Sequence, residues 1–213
     1  MKKPLLLVLL VILIDQASKI WIKTNFYLGQ EYKVADWFII HFTENNGMAF
    51  GMEFAGEYGK LILSIFRILA VAGILYYLIK ISRDGTHKGL VYSIALVFAG
   101  ALGNILDSTF YGLLFNDSYH QVAELFPASG GYAPMLYGRV VDMLYFPLFS
   151  GFFPDWFPIW GGEHFLFFRP VFNIADTAIS VGVGMIIVFQ KRFFKNPKIE
   201  AAQDEMNAEQ EPS

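Results

Sequence analysis

Four long apolar runs limit what this chain can fold into. A transmembrane helix needs roughly 20 mainly apolar residues, and runs of this kind lie at about 4–22, 60–80, 89–106 and 171–190. The composition agrees, because 55% of the residues are hydrophobic and only 16% are charged, whereas soluble domains carry about a quarter charged residues. We therefore predict a mainly α membrane protein with four transmembrane helices.

The basic residues predict the orientation of these helices, because lysine and arginine favour the cytoplasmic side. They gather before the first run, between the second and third, and after the fourth: Lys2, Lys3, Lys80, Arg83, Lys88, Lys191, Arg192, Lys195 and Lys198. The longer loops on the other side carry only Lys23, Lys33, Arg139 and Arg169. We predict that both termini are cytoplasmic and that the first run is a retained helix, not a cleaved signal peptide.

Two longer segments, at about 23–59 and 107–170, are then expected outside the cytoplasm. Residues 37–42 alternate as a strand does, and a glycine-containing turn follows at 44–51. The second segment is rich in aromatic residues, which favour the membrane–water boundary. We predict an amphipathic outer segment lying on the lipid, a single domain at 1–199, and a disordered polar tail at 200–213.

Several kinds of chemistry find no support in the sequence. The chain has no cysteine, and no pair of its four histidines has metal-ligand spacing, so we expect no metal and no cofactor. The net charge of -3 offers no electrostatic footprint for nucleic acid.

Polar residues inside the apolar runs converge on one level. An ionisable group in a bilayer costs about 3 kcal/mol or more and is therefore a candidate for function. Once the runs are oriented, these residues all fall near the outer surface: Asp15, Lys19, Arg67, Asn104, Asp107, Asn173 and Asp176. Asp15 and Lys19 are four residues apart and share a helix face, as do Asn173 and Asp176, which are three apart.

Asp142 lies in an apolar stretch of the second outer segment that we expect to return to the same level as Asp176. Two poorly solvated carboxylates repel each other, so the pKa of one rises and the pair shares a proton near neutral pH. One aspartate then takes a proton from water while the other protonates the scissile amide. The pattern predicts peptide hydrolysis without a metal or a covalent nucleophile.

Five segments, in order along most of the chain, resemble the lipoprotein signal peptidases of the signal peptidase II family. The first three are Asp15 to Lys19, Asn45 to Gly51 and Gly100 to Asp107. The last two, Val140 to Asp142 and Phe172 to Asp176, resemble the segments that carry the family's catalytic aspartates. Each segment alone is a weak signal, but five in this order on a four-span frame are specific.

The resemblance implies four transmembrane helices, a small extracytoplasmic β-cradle and a flexible outer helix over the site. It implies an enzyme of the bacterial inner membrane whose substrate is a prolipoprotein carrying diacylglycerol on its lipobox cysteine, cut just before that cysteine. Nothing in the sequence requires more than a monomer, which is the state we expect. It implies Asp142 and Asp176 as the catalytic pair. The supporting or substrate-binding positions it implies are Asp15, Lys19, Asn45, Gly47, Ala49, Phe50, Gly103, Asn104, Arg139, Asn173 and Ala175.

The chain departs from the family pattern at Ser108, where members commonly have an arginine that is thought to contact the substrate backbone. We hypothesise that Arg139 or Arg67 supplies this charge. The outer segments at 108–137 and 146–169 also look longer than is typical of the family. They either form a larger lid over the site or are lineage-specific insertions.

Structural roles remain open for several of these residues. Asp15 and Lys19 are equally well explained as a structural pair, Arg67 as a side chain reaching the lipid headgroups, and Gly103 as a site of close helix packing. Two other functions also remain possible for a chain of this kind. If it were an ion-coupled carrier, we would expect polar groups spread across the bilayer and helices broken at mid-depth. If it were a structural or assembly subunit, it would not need the aspartate pair.

Overall fold

A computed structural model describes residues 2–46, 56–167 and 170–194. Within them, four helices are long and apolar enough to cross a membrane: Lys2–Lys23, Tyr58–Arg83, Lys88–Leu114 and Ile174–Phe193. The prediction of four spans in a mainly helical protein is confirmed. The predicted tail at 200–213 lies outside the described residues, and the single domain at 1–199 stays a prediction.

The helical elements are numbered in chain order. They are α1 (Lys2–Lys23), α2 (Gly56–Arg83), α3 (Lys88–Leu106), a π-helical turn (Asp107–Tyr111), α4 (Gly112–Leu114) and α5 (Ile174–Phe193). Helix α3 packs against α1, α2 and α5. Large apolar side chains on the outer faces stay exposed, such as Leu6 at 56% and Leu69 at 66%, as expected for surfaces that contact lipid.

Glycines allow α3 and α5 to approach closely. A Cβ at Gly100 would collide with the backbone oxygen of Ala175, and a Cβ at Gly182 would lie 2.6 Å from the backbone oxygen of Ser93. Small residues at such crossings bring two backbones together in the membrane, where van der Waals packing holds helices to each other. This contact fixes the start of α5 against the end of α3.

Two helix ends differ from the prediction. The third helical path does not stop at 106 but continues through the π-helical turn to Leu114. The fourth helix begins at Ile174 rather than 171, because Val171–Phe172 form a strand and Asn173 caps the helix. The Asn173 side chain accepts a hydrogen bond from the Asp176 backbone, while the Asp176 side chain accepts one from the Asn173 backbone. This capping box sets the helix start.

A four-stranded antiparallel sheet stands at the end of the helices where these polar residues lie. Its strands are β1 (Glu31–Ala35), β2 (Phe38–Asn45), β3 (Val140–Tyr145) and β6 (Val171–Phe172), in the order β1-β2-β3-β6. The predicted strand at 37–42 is thus confirmed but runs further. Glu44 and Asn45 belong to it, not to a turn, because they pair with Val141 and Val140 of β3.

A second, two-stranded sheet joins β4 (Phe149–Phe152) to β5 (His164–Phe167). In its connecting loop the ring of Phe157 lies 5.1 Å from that of Phe153 and 6.1 Å from that of Trp160. Trp156 remains 78% exposed. This aromatic loop is the segment that we predicted to lie on the lipid, and that placement stays a prediction.

An apolar cluster fixes the four-stranded sheet to the helix ends. Phe42 of β2 and Val141 of β3 are fully buried together with Phe115 and Ile22, the last near the end of α1. Burial of one such side chain contributes about 1.5–3 kcal/mol. The cluster therefore holds β3, with its aspartate, close to the ends of α1 and α3.

Candidate active site

Asp142 projects from β3 into the protein and is only 4% exposed. Its carboxylate accepts a hydrogen bond from the Asn45 side chain of β2. It accepts a second from the Asn173 side chain, whose Nδ2 lies 2.7 Å from Asp142 Oδ1. Two amide donors therefore fix this carboxylate from a strand on one side and a helix cap on the other.

Asp176 lies in the first turn of α5 and is held by the same cap. Its carboxylate accepts a hydrogen bond from Asn104 Nδ2 at 2.8 Å, and its backbone nitrogen donates to Asn173 Oδ1 at 2.8 Å. Asn173 thus touches both aspartates, one through each end of its amide. The Asn173 side chain thus connects the carboxylate of Asp142 to the backbone of Asp176.

Asn104 connects this pair to a buried lysine. Its Oδ1 accepts hydrogen bonds from Lys19 Nζ at 2.9 Å and from Asn173 Nδ2 at 3.1 Å. Because that oxygen faces two donors, the amide is oriented with its Nδ2 toward Asp176. Lys19 reaches Asp176 through this amide and makes no direct hydrogen bond to it within the described residues, so it is a positioning residue.

Lys19 also pairs with two carboxylates. Its Nζ lies 2.9 Å from Asp15 Oδ2 and 2.8 Å from Asp107 Oδ2, and all three side chains are almost completely buried. Each carboxylate also accepts a backbone N–H: Asp15 from Ala175 at 2.9 Å and Asp107 from Val141 at 3.3 Å. These two backbone donors directly precede Asp176 and Asp142. One ion triad therefore fixes the chain next to both aspartates.

Gly103 and Ala175 have a steric role in this arrangement. A Cβ at Gly103 would lie 2.7 Å from Asp15 Oδ2 and 3.3 Å from the Cβ of Ala175. The bare backbone at Gly103 therefore leaves room for the Asp15 carboxylate beside the start of α5. The sequence left two roles open for Gly103, close helix packing and support of the site. In the structure one contact serves both, because the close approach at Gly103 is what makes room for Asp15.

Burial raises the pKa of Asp142 to about 7, and the negative charge of Asp176 adds to this rise. Hydrogen bonds from Asn45 and Asn173 oppose it only in part. A carboxyl group of this kind holds a proton near neutral pH while its neighbour is ionised, which is the state a proton-sharing pair needs.

Arg139 and Arg67, the two candidates for the missing positive charge, lie in different places. Arg139 Nη1 lies 3.1 Å from Glu44 Oε2 and 3.1 Å from Asp117 Oδ2. Glu44 and Asn45 are neighbours on one strand and point to opposite faces of the sheet. Because Asn45 binds Asp142, Arg139 lies on the face away from it.

Arg67 of α2, in contrast, lines a groove beside Asp176. The groove has a volume of about 220 Å³, and its walls are otherwise mainly apolar side chains from α2, α3 and α5, including Val71, Ile74, Ile105 and Ile179. Asn104 also lines it, and Arg67 and Asp176 interact electrostatically. The structure thus combines a carboxylate, a guanidinium group and an apolar channel.

Several residues of the network were missed or misread in the sequence. Gln16 Nε2 donates to Asp107 Oδ1 at 2.9 Å, and Tyr111 Oη donates to Gln16 Oε1 at 3.2 Å. Lys23, which we counted as a loop charge, ends α1 and is fully buried against Glu44. The signal for Lys23 was its spacing, because it continues the same helix face four residues after Lys19.

Three predicted positions, Gly47, Ala49 and Phe50, lie outside the described residues. The structure brings all the others together except Arg139, which lies on the opposite face of the sheet. Over residues 2–46, 56–167 and 170–194, no group of three or more histidine, aspartate or glutamate side chains is arranged to hold a metal ion.

The chain is similar to known proteins along nearly its whole length. A family model described as signal peptidase (SPase) II matches residues 7–192. A lipoprotein signal peptidase of Porphyromonas gingivalis is 50% identical over 187 residues, which cover 87% of this chain and 81% of that protein. One from Amoebophilus asiaticus is 37% identical over 195 residues, covering 89% and 78%.

A solved structure shares the fold. A bacterial membrane enzyme structure at 2.3 Å resolution superposes with a TM-score of 0.61 at 25% sequence identity, covering 92% of this chain and 93% of that one.

The ion triad predicts that replacing Lys19 with methionine, which has a similar length but no charge, strongly destabilises the protein. Asp15 and Asp107 would stay buried without their cation, and breaking such a pair costs about 3–5 kcal/mol. The midpoint of unfolding in detergent measures the effect. Lys33→Met is the matched control, because Lys33 is 63% exposed and pairs with Asp36, which is itself exposed. Equal stability of the two variants would contradict this account of the triad.

Proposed function

The chain belongs to the signal peptidase II family, and on that premise we propose that it is an aspartic endopeptidase with Asp142 and Asp176 as its catalytic pair. Membership makes it a peptidase of lipoprotein precursors and, with four helices able to span a membrane, a multi-pass bacterial membrane protein. The observation that carries the proposal is the Asn173 amide, which donates from Nδ2 to the Asp142 carboxylate and accepts at Oδ1 from the backbone N–H of Asp176.

The two carboxyl groups divide the work of hydrolysis. The ionised aspartate takes a proton from water, whose oxygen bonds to the carbonyl carbon of the scissile peptide. The protonated aspartate donates its proton to the amide nitrogen, and the carbon–nitrogen bond then breaks. One water is consumed, and the pair keeps one proton. The raised pKa of Asp142 supports a pair that holds one shared proton near neutral pH.

The apolar groove beside Asp176 supports a lipidated substrate. Its aliphatic walls belong to helices whose outer faces are also apolar, so an acyl chain can enter from the bilayer without crossing water. We propose that it receives the diacylglycerol of the lipobox cysteine, with cleavage just before that cysteine.

We also keep the predicted location, a monomer in the bacterial inner membrane with both termini in the cytoplasm. Basic residues at one end of the helices support it: Lys2, Lys3, Lys80, Arg83, Lys88, Lys191 and Arg192. The aspartates, at the opposite end, then face the periplasm.

Cleavage of a diacylglyceryl-modified prolipoprotein by the purified protein tests the catalytic pair. Asp142→Asn and Asp176→Asn should each abolish cleavage, because neither asparagine can share or exchange the proton. The fully exposed Asp36 provides the control, and Asp36→Asn should cut as the wild type does. The same precursor without its lipid should stay intact. If cleavage survived either substitution, Asp142 and Asp176 would not be the catalytic pair.

A folding measurement separates catalysis from structural support. Ionising a carboxyl whose pKa is raised in the folded state lowers stability as pH rises from its ordinary value toward about 7. At pH above this range Asp142→Asn should therefore unfold at the same temperature as the wild type or higher. Inactivity with intact stability supports a catalytic role, whereas a large loss of stability indicates a structural one.

The pH dependence of cleavage should follow the shared proton. Asp142 loses its proton as pH rises through about 7, so kcat/KM should fall about tenfold per pH unit above that value. The apparent pKa belongs to the coupled pair and not to one residue. The control variant Asp36→Asn should show the same fall of kcat/KM with rising pH as the wild type. A rate that stays flat well into the alkaline range would contradict a proton-sharing pair.

The arginine expected at Ser108 is replaced, we propose, by Arg67 and not by Arg139. Removing a hydrogen bond to a charged group costs about 1.5–3 kcal/mol, so Arg67→Ala should lower kcat/KM roughly 10- to 100-fold. Arg139→Ala breaks contacts with Glu44 and Asp117 and should reduce thermal stability more than cleavage. The reverse result, a catalytic loss in Arg139→Ala alone, would favour Arg139.

A further inference from the structure

A second cavity lies at the end of the helix bundle opposite to the aspartates. It has a volume of about 580 Å³ and opens between the start of α1, the end of α2 and the start of α3. Three lysines line it: Lys2, Lys3 and Lys88. The proposed hydrolysis uses none of them, and the five segments of the family resemblance do not include them.

The three ammonium groups have no acidic partner in the structure. Within residues 2–46, 56–167 and 170–194, none of the three forms an ion pair, and all three are exposed. Like charges gathered around one opening create a positive potential that attracts an anion. The first N–H groups of α1 and α3, which lie at the same opening, add the positive ends of two helix dipoles.

The inner surface of the cavity carries hydroxyl groups as well. Ser82, Thr86 and Tyr92 line it and are half-buried. Their side chains make no hydrogen bond within the described chain. Hydroxyl donors combined with ammonium groups suit the oxygens of a phosphate, which accept several hydrogen bonds at once.

Part of the cavity wall is apolar, which indicates the kind of molecule that would carry the phosphate. Ile81 and Val91 are both buried at its edge, and the cavity lies where membrane-spanning helices end, at the depth of lipid headgroups. Basic pockets between such helices bind anionic headgroups. We propose that this cavity binds a phosphate group, carried by an anionic phospholipid such as phosphatidylglycerol.

Lipid binding to the full-length protein, with any affinity tag at its carboxyl end, tests the site. Native mass spectrometry in a neutral detergent would titrate phosphatidylglycerol against phosphatidylcholine. Wild type should retain phosphatidylglycerol in preference. The combined Lys2→Gln, Lys3→Gln and Lys88→Gln variant should bind phosphatidylglycerol more than tenfold more weakly, since each lysine near an anionic headgroup contributes roughly fivefold to the affinity.

A matched variant removes the same charge from the same end of the bundle. Lys80→Gln, Lys191→Gln and Arg192→Gln together change three exposed cations, none of which lines the cavity, and should leave phosphatidylglycerol binding nearly unchanged. Equal weakening in both triple variants would overturn the proposal, because the effect would then be one of overall charge. Equal retention of the two lipids by the wild type would overturn it too.

A competition arm distinguishes the two sources of phosphate. Inorganic phosphate in large excess over lipid, at constant ionic strength, should fail to displace phosphatidylglycerol, because the free ion lacks contact with the apolar wall. Displacement by phosphate but not by chloride would overturn the lipid assignment in favour of a soluble phosphate. Cleavage of the precursor, measured on the same samples, should be normal in both triple variants. The lipid-binding proposal can therefore fail while the catalytic proposal stands, and the reverse.

Discussion

The buried pairing of Lys19 with Asp15 and Asp107 is the interaction on which the rest of the site depends. Three formal charges lie almost wholly out of solvent, where an isolated ion would cost several kcal/mol. The arrangement is tolerable because the lysine also donates to Asn104, and both carboxylates accept backbone N–H groups. Because Lys19 is the cation shared by both carboxylates, its removal would leave Asp15 and Asp107 buried without a positive partner.

This triad also joins elements that are distant in sequence. Asp15 on α1 holds the first turn of α5 through Ala175, while Asp107, in the π-helical turn after α3, holds β3 through Val141. The residue after each of these donors is a candidate catalytic aspartate. The relative position of the two carboxyl groups is thus set by backbone hydrogen bonds and a buried ion, not by the packing of the flexible side chains themselves. Such preorganisation suits chemistry in which a proton must move over a short, fixed distance.

Polarity in the bundle is segregated by depth. Asp15, Lys19, Asp107 and Asp176 lie at one end beneath the four-stranded sheet, while exposed lysines of α1 and α3 lie at the other end. Between the two, side chains such as Val71 and Phe98 form an apolar core. A carrier would need polar groups through the middle of the bilayer. The described residues instead gather their buried polar groups at one end of the bundle, with an apolar groove beside them.

The sequence alone determined the four membrane spans, their apolar faces and the level of the polar residues, because hydrophobic length and helical spacing are local properties. It also located Asp142, Asp176 and most of their neighbours, through segments resembling a known family. It misplaced the start of α5, the end of the third helical path and the role of Lys23, since a capping box, a π-helical turn and a buried ion pair with Glu44 each depend on residues far apart in sequence. Only the tertiary structure decided that Arg139 faces away from Asp142, because Arg139 binds Glu44, and the register of β2 against β3 fixes the face of the sheet that Glu44 takes. It also decided that Arg67 lines the groove, because the packing of α2 against α3 determines which side chains of α2 lie beside Asp176.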